Sequence, residues 1–280
     1  MNENFDPVIN DPLIHDKEYP ATMMPVCFNS AGKKLLGTIL LAAGKGPHPT
    51  VLLLHGFPGN ELNLDIAHAV RRAGFNVALF HYRGSWGSEG SFTWLNCIDD
   101  TKTAIELLRS KEAASMFRVD SDRIVLIGHS LGGFLTFYSL IHDEKLKAGA
   151  FMSGFNFGIW AQLIKHDDSA KKISLEQMEF PAKMLNGTSA PALLDEMLDN
   201  EKEFNLVNHA DVLAKKDVFM IGAKYDQVAV TDFHHAPLEA AIRNFNPELK
   251  SKILSAGHSF AEKRIELTRE IVNWLNKIEF

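Results

Sequence analysis

A serine near the middle of the sequence lies in a setting that could make its hydroxyl a nucleophile. Residues 128–132 read Gly-His-Ser-Leu-Gly, a G-x-S-x-G pattern, between an apolar segment at 123–127 and a helical pattern at 131–141. In a sharp strand-to-helix turn this pattern holds the central hydroxyl at the top of a sheet, beside a helix N-terminus that favours negative charge. We therefore expect Ser130 to be a nucleophile. An incidental serine in a glycine-rich turn is the alternative.

A serine hydroxyl is a weak nucleophile and needs a base beside it. Among the twelve histidines, His258 follows a predicted strand at 250–255 and precedes the last predicted helix. Asp226 follows a predicted strand at 217–222 and could orient the imidazole. Catalytic triads of serine, aspartate and histidine occur in this chain order. Asp232 is a nearby carboxylate that could serve in place of Asp226.

Backbone amides after a third predicted strand could stabilise an oxyanion. Residues 55–59 read His-Gly-Phe-Pro-Gly and follow the apolar segment 50–55. The two glycines permit a tight turn that exposes amides, whereas Pro58 has no N–H to donate. We expect the amides of Phe57 and Leu131 to form the oxyanion hole. A simple strand-to-helix turn is the alternative.

Alternating elements surround these residues. Apolar runs predict strands at 35–41, 50–55, 75–81, 123–127, 146–152, 217–222 and 250–255. Helical patterns are present at 64–73, 98–111, 131–141 and 238–244, and near the C-terminus. Strands that alternate with helices indicate right-handed crossovers and a mostly parallel sheet, covered by helices on both faces.

The alternation stops for about fifty residues after the strand at 146–152. Ser174 with Gln177 forms a capping-box pattern that predicts the start of a helix, and Ser189 before Pro191 predicts another. We expect an N-terminal arm at 1–21, an α/β core at 22–154 and 211–280, and a helical cap at 155–210. Parallel strands end at the same edge of a sheet, so the cap should begin beside Ser130. Candidate pocket residues are Trp86, Trp94, Phe155, Trp160 and Met184.

The composition excludes several classes of protein. With 46% hydrophobic and 23% charged residues, the chain is not of a disordered type, and a net charge of −6 disfavours nucleic acid as a partner. Cys27 and Cys97 cannot form a disulfide framework. The first twenty residues do not resemble a signal peptide, and no apolar run is long enough for a membrane span. We expect a cytoplasmic protein without a membrane partner, and the sequence leaves a homodimer open. His234 and His235 are expected on a solvated helix, without a metal.

These motifs give the chain a resemblance to the α/β-hydrolase superfamily from about residue 25 to the C-terminus. Residues 81–90 (HYRGSWGSEG) resemble a loop of the prolyl-oligopeptidase-like and dienelactone-hydrolase-like branch, which includes acylaminoacyl peptidases and cinnamoyl or feruloyl esterases. The resemblance implies an α/β-hydrolase fold with a helical cap. It also implies a serine hydrolase of small carboxylic esters that needs no cofactor. A peptidase or amidase acting on short peptides is the alternative, and a non-catalytic binding protein on this fold is disfavoured because all three triad residues are present.

Overall fold

The computed structural model describes residues 5–280 of the chain. Its strands are β1 (Thr22–Ser30), β2 (Lys33–Leu41), β3 (His48–Leu54), β4 (Asn76–Phe80), β5 (Val119–His129), β6 (Ala148–Met152), β7 (Asp217–Ala223) and β8 (Lys250–Leu254). They form one sheet in the order β1-β2-β4-β3-β5-β6-β7-β8. The pairs β1–β2 and β2–β4 are antiparallel, and all other neighbours are parallel. The predicted mostly parallel α/β sheet is confirmed.

Helices cover both faces of this sheet. They are α1 (Leu64–Arg72), α2 (Trp94–Leu108), α3 (Lys111–Phe117), α4 (Leu131–His142), α5 (Phe157–Ile164), α6 (Asp168–Ala182), α7 (Ala190–Asp199), α8 (Ala210–Leu213), α9 (Thr231–His234), α10 (Ala236–Arg243) and α11 (Arg264–Leu275). Short 3₁₀ turns span Leu206–His209 and Ala261–Lys263. Within residues 5–280, none of these helices combines the length and the apolar character that crossing a membrane requires.

Successive side chains of the central strands enter two separate cores, because residues of a strand point alternately to opposite faces. In β5, Val125 and Ile127 pack with α1 and α11 on one face of the sheet. Ile124 and Leu126 pack with α2 and α4 on the other face. This two-sided burial explains why the central strands are continuous apolar runs in the sequence.

Two elements of the core were not anticipated. Strand β1 is an edge strand whose side chains alternate between exposed and half-buried positions, and it contains Pro25. A proline is tolerated at an edge but weakens a strand pattern in the sequence. Helix α3 is separate from α2 because the Ser110 side chain accepts a hydrogen bond from the amide of Ala113 and begins a new helix.

The N-terminal arm lies against the helices of one face. Arg72 of α1 donates from Nε to the carbonyl of Pro7 at 2.7 Å, and Arg269 of α11 forms an ion pair with Asp6 at 2.9 Å. Residues 5–21 contain neither helix nor strand. The first four residues of the predicted arm lie outside the described part of the chain.

Helices α5 to α8 and one 3₁₀ turn occupy the segment between β6 and β7. The predicted helix start at Ser174 is wrong, because α6 begins earlier, at Asp168, and is capped by Asp167. The Ser174 hydroxyl instead donates to the carbonyl of Ala170 within the helix, at 2.9 Å. Ser189 does cap α7, and Pro191 lies in the first turn of that helix.

Candidate active site

Ser130 lies in the sharp turn between β5 and α4. Its backbone angles are φ 57° and ψ −117°, a strained conformation for a residue with a side chain. A Cβ atom at Gly128 would overlap the backbone of Gly132, and one at Gly132 would overlap the backbone of β3. Both positions therefore require glycine. The Ser130 amide donates to the carbonyl of Met152 at 3.0 Å, which joins the turn to the end of β6.

An imidazole and a carboxylate meet in the loops after β8 and β7. His258 Nδ1 donates to Asp226 Oδ2 at 2.8 Å. Asp226 Oδ1 accepts the backbone amides of Val228 and Ala229, each at 2.8 Å. Because a carboxylate accepts hydrogen bonds, the neutral form of this imidazole has its proton on Nδ1 and its lone pair on Nε2. Asp232 is exposed in α9 and makes no recorded hydrogen bond to His258.

The environment of Asp226 stabilises its ionised form. Burial alone would raise the pKa of this carboxyl group, but the hydrogen bond and charge of His258 and the two backbone amides outweigh burial and lower the pKa. A carboxylate that stays ionised can hold the imidazole in one tautomer and stabilise the imidazolium during a reaction.

His129 connects the Ser130 turn to the loop that carries His258. Its Nε2 donates to the carbonyl of His258 at 2.8 Å, and the two ring centroids are 4.7 Å apart. Burial lowers the pKa of His129 to about 3, so its imidazole is neutral and keeps the proton on Nε2. Within residues 5–280 no hydrogen bond joins Ser130 Oγ to His258. Such bonds often form or tighten only when a substrate is bound.

The turn at 55–59 lies against Ser130. A Cβ atom on Gly56 would be 3.1 Å from Ser130 Cβ, so the close approach depends on a glycine. The indole of Trp86 donates to the carbonyl of Pro58 at 2.7 Å and anchors this turn. In the described chain, the amides of Phe57 and Leu131 have no recorded acceptor. Both are thus available to an oxygen atom beside Ser130.

A mostly apolar cavity of about 110 Å³ opens beside Ser130. It is lined by Phe57, Trp94, Ser130, Leu131, Phe155, Phe157, Trp160, Ser174, Gln177, Met178, Met197 and Val228. Helices α5, α6 and α7 all contribute side chains to this lining.

Three of the five predicted pocket residues line this cavity: Trp94, Phe155 and Trp160. Trp86 does not, because its ring is half exposed and its N–H is used by the 55–59 turn. Met184 does not either, because it follows the end of α6 and is 44% exposed. Val228 was not among the candidates, although its position two residues after Asp226 would have indicated a place near the site.

The expectation that His234 and His235 are solvated is wrong. Both are buried, because residues distant in the sequence pack against them: the ring centroid of His234 lies 4.1 Å from that of Phe155, and the ring centroid of His235 lies 6.5 Å from that of Phe151. His234 Nδ1 accepts the amide of Asn156 at 3.1 Å, and burial lowers the pKa of His234 to about 4. His235 Nε2 lies 3.0 Å from Ser251 Oγ. Within residues 5–280, no cluster of three His, Cys, Asp or Glu side chains is arranged to hold a metal ion.

The fold agrees with what is found by comparison with known proteins. A family model described as alpha/beta hydrolase fold matches residues 49–183. An uncharacterized 31.7 kDa protein of Escherichia coli is 34% identical over 112 residues, 39% of this chain and 38% of that protein. The esterase EstD of Thermotoga maritima is 28% identical over 116 residues, 36% of this chain and 26% of that protein. The chain thus spans less than two fifths of the length of these curated relatives.

Solved structures share the fold over most of the chain. The Pyrococcus furiosus esterase Pf2001 superposes with a TM-score of 0.66 at 18% identity, covering 96% of each chain. A Pyrococcus horikoshii acylaminoacyl peptidase superposes with a TM-score of 0.69 at 18% identity, covering 92% of this chain and 42% of that one. The chain has the α/β-hydrolase fold that its resemblance implied.

Proposed function

We propose that this chain is a serine hydrolase that cleaves carboxylic esters through an acyl-enzyme. Ser130 is the nucleophile, His258 the general base and Asp226 the residue that orients the base. The observation that carries the proposal is the hydrogen bond from His258 Nδ1 to Asp226, because it selects the neutral tautomer whose Nε2 can accept a proton. The strained turn at Ser130 supplies a hydroxyl at the same edge of the sheet.

The reaction follows from these roles. His258 Nε2 takes the proton of Ser130 Oγ as the oxygen attacks the ester carbon, and the amides of Phe57 and Leu131 bind the oxyanion that forms. His258 then gives the proton to the leaving alcohol, and the acyl group remains on Ser130. In the second half, His258 activates a water molecule that releases the acid and restores the serine.

In this proposal the cap at 155–210 is a lid over the site. Its helices α5, α6 and α7 line the cavity beside Ser130 with mainly aromatic and methionine side chains. Methionine side chains adapt to ligands of different shape. The cap therefore sets substrate preference, whereas the core performs the chemistry.

A peptidase or amidase is the second candidate, since an acylaminoacyl peptidase is among the proteins of similar fold. Both reactions use the same triad. Ester cleavage is favoured because no charged side chain of the described residues lines the cavity, so it offers no partner for a peptide terminus. Turnover of p-nitrophenyl esters beside a panel of aminoacyl anilides distinguishes the two candidates.

Replacement of Ser130 tests the proposal. Ser130→Ala should lower kcat by about 10⁴-fold or more while the fold is retained, and labelling by a serine-directed fluorophosphonate should be lost. Ser139→Ala, a change further along the same helix α4, should keep both activity and labelling. Undiminished labelling of the Ser130→Ala protein would contradict the assignment.

A further inference from the structure

The cavity beside Ser130 has one exposed end and one buried end. Val228 at the exposed end is 48% accessible, and Gln177 is also exposed. Trp94, Phe157 and Met197, which also line the cavity, are each less than 5% exposed. A group that enters past Val228 therefore passes from an exposed part of the lining to a buried part.

The cavity lies on the acyl side of the reaction centre. The leaving alcohol must lie beside His258, because His258 supplies its proton. His258 does not line the cavity, whereas Ser130 does, together with the two residues whose amides are placed at the oxyanion, Phe57 and Leu131. The group that occupies the cavity is therefore the one that stays attached to the carbonyl carbon.

The lining favours a hydrocarbon group over a charged group. No Asp, Glu, Lys, Arg or His side chain of the described residues lines it. The Ser174 hydroxyl is occupied, since it accepts the Trp160 indole N–H at 3.0 Å and donates to Ala170 at 2.9 Å. An ionised group placed here would lose hydration without gaining a partner of opposite charge.

The volume limits the length of the acyl chain. An apolar cavity of about 150 Å³ holds one benzene molecule, which has six carbon atoms. By proportion, a cavity of about 110 Å³ holds roughly four carbon atoms.

Hydrogen bonds hold the buried end in place. The Trp94 indole donates to the carbonyl of Leu193 at 2.9 Å. The Glu196 carboxylate accepts the backbone amides of Trp94 at 2.8 Å and Leu95 at 3.0 Å. Helix α7 is thereby joined to the start of α2, and Met197 of α7 is part of a wall that cannot easily move away.

We propose that this cavity is a chamber for short, uncharged acyl groups of up to about four carbon atoms, with Met197 at its buried end. The inference rests on the proposed ester hydrolysis and adds the substrate class: esters of short aliphatic acids. It also makes Met197 a residue that determines specificity.

A series of p-nitrophenyl esters tests the chamber, because the leaving group stays constant while the acyl chain grows from acetate to octanoate. We expect kcat/KM to rise by up to about fourfold per methylene group as far as butyrate. It should then fall by tenfold or more by octanoate. A p-nitrophenyl hemiester of glutaric acid should be cleaved at least tenfold more slowly than the uncharged pentanoate.

A smaller side chain at position 197 should enlarge the cavity and shift the preference to longer acyl chains. Met197→Ala should move the optimum by two or more carbon atoms, and Met197→Val, a smaller change, should move it in the same direction if the alanine variant does not fold. Met184→Ala is the matched control, since Met184 also belongs to the cap but lies outside the cavity. It should leave the optimum unchanged.

Three outcomes would overturn the inference: a flat chain-length profile, rapid cleavage of the hemiester, or an optimum that Met197 variants do not move. A series of alkyl acetates extends the alcohol instead, and a shift by Met197→Ala in that series would mean that the cavity holds the alcohol. Fluorophosphonate labelling of Ser130 separates the two proposals. If Ser130 is labelled and esters are turned over with a flat chain-length profile, only the proposed chamber is contradicted. If neither labelling nor turnover occurs, both the proposed function and the chamber are contradicted.

Discussion

Two carboxylates, Asp226 and Asp232, follow β7 within nine residues, and their surroundings are different. The Asp226 side chain is fully buried and accepts hydrogen bonds from His258 and from two backbone amides. Asp232 is exposed in the first turn of α9. Only the buried carboxylate is held rigidly enough to select one tautomer of an imidazole.

Replacing Asp226 by its amide should therefore impair catalysis without removing the nucleophile. Asp226→Asn should lower kcat by about 10³- to 10⁴-fold, because an amide stabilises the wrong imidazole tautomer. Asp232→Asn is the matched control and should change kcat less than twofold. Steady-state kinetics on one ester suffices, and a larger loss in Asp232→Asn would assign the role to the other carboxylate.

Among the elements, α7 is connected to α2 through the N-terminus of α2. The first amides of a helix have no partner within the helix, and the helix dipole favours a negative charge there. At the start of α2 the Thr93 side chain accepts the amide of Asn96, and Glu196 of α7 accepts the amides of Trp94 and Leu95. One carboxylate thus fixes the cap to the pocket wall.

Loss of one carboxylate oxygen of Glu196 should loosen this attachment. Glu196→Gln places an amide group against a backbone N–H donor, and it should lower the free energy of unfolding by about 0.5–2 kcal/mol. Glu179→Gln changes an exposed residue of α6 that pairs with Lys183 at the surface, and it should cost less than about 0.5 kcal/mol. Urea denaturation measures both values, and equal effects would show that Glu196 has no special role.

For the molecule as a whole, the loop after β4 joins the sheet to the connection between α6 and α7. Arg83 donates from its backbone amide and from Nε to the fully buried carboxylate of Asp100, at 2.7 and 2.6 Å. Next to it, Gly84 accepts the amide of Asn186 at 2.8 Å, and the Asn186 carbonyl accepts the amide of Phe92. The buried ion pair between Arg83 and Asp100 of α2 therefore positions the loop after β4. The connection between α6 and α7 is hydrogen-bonded to this loop.

Breaking this ion pair should destabilise the whole fold. Asp100→Asn removes the buried counter-charge of Arg83 and should lower the free energy of unfolding by about 3–5 kcal/mol. Asp99 also approaches Arg83, at 3.4 Å, but its side chain is 66% exposed. Asp99→Asn should cost less than about 1 kcal/mol. Similar losses in the two variants, measured by urea denaturation, would contradict a dominant role for the buried pair.

Features that depend on neighbouring residues were predictable from the sequence. Continuous apolar runs indicated the central strands, because burial on both faces makes every side chain of such a strand apolar. The glycines around Ser130 indicated the sharp turn, since any side chain at 128 or 132 would overlap nearby backbone. The order of Ser130, Asp226 and His258 indicated a common edge of the sheet, because parallel strands all end there.

Features that depend on distant contacts were not predictable in this way. His234 and His235 are polar in sequence but buried, since elements far along the chain pack over them. Trp86 and Trp94 look equivalent in sequence, yet only Trp94 meets α7, more than ninety residues later, and lines the cavity. The shape of the cavity depends on how the cap helices pack on α2 and α4, because burial is a property of the assembled layers and not of a local pattern.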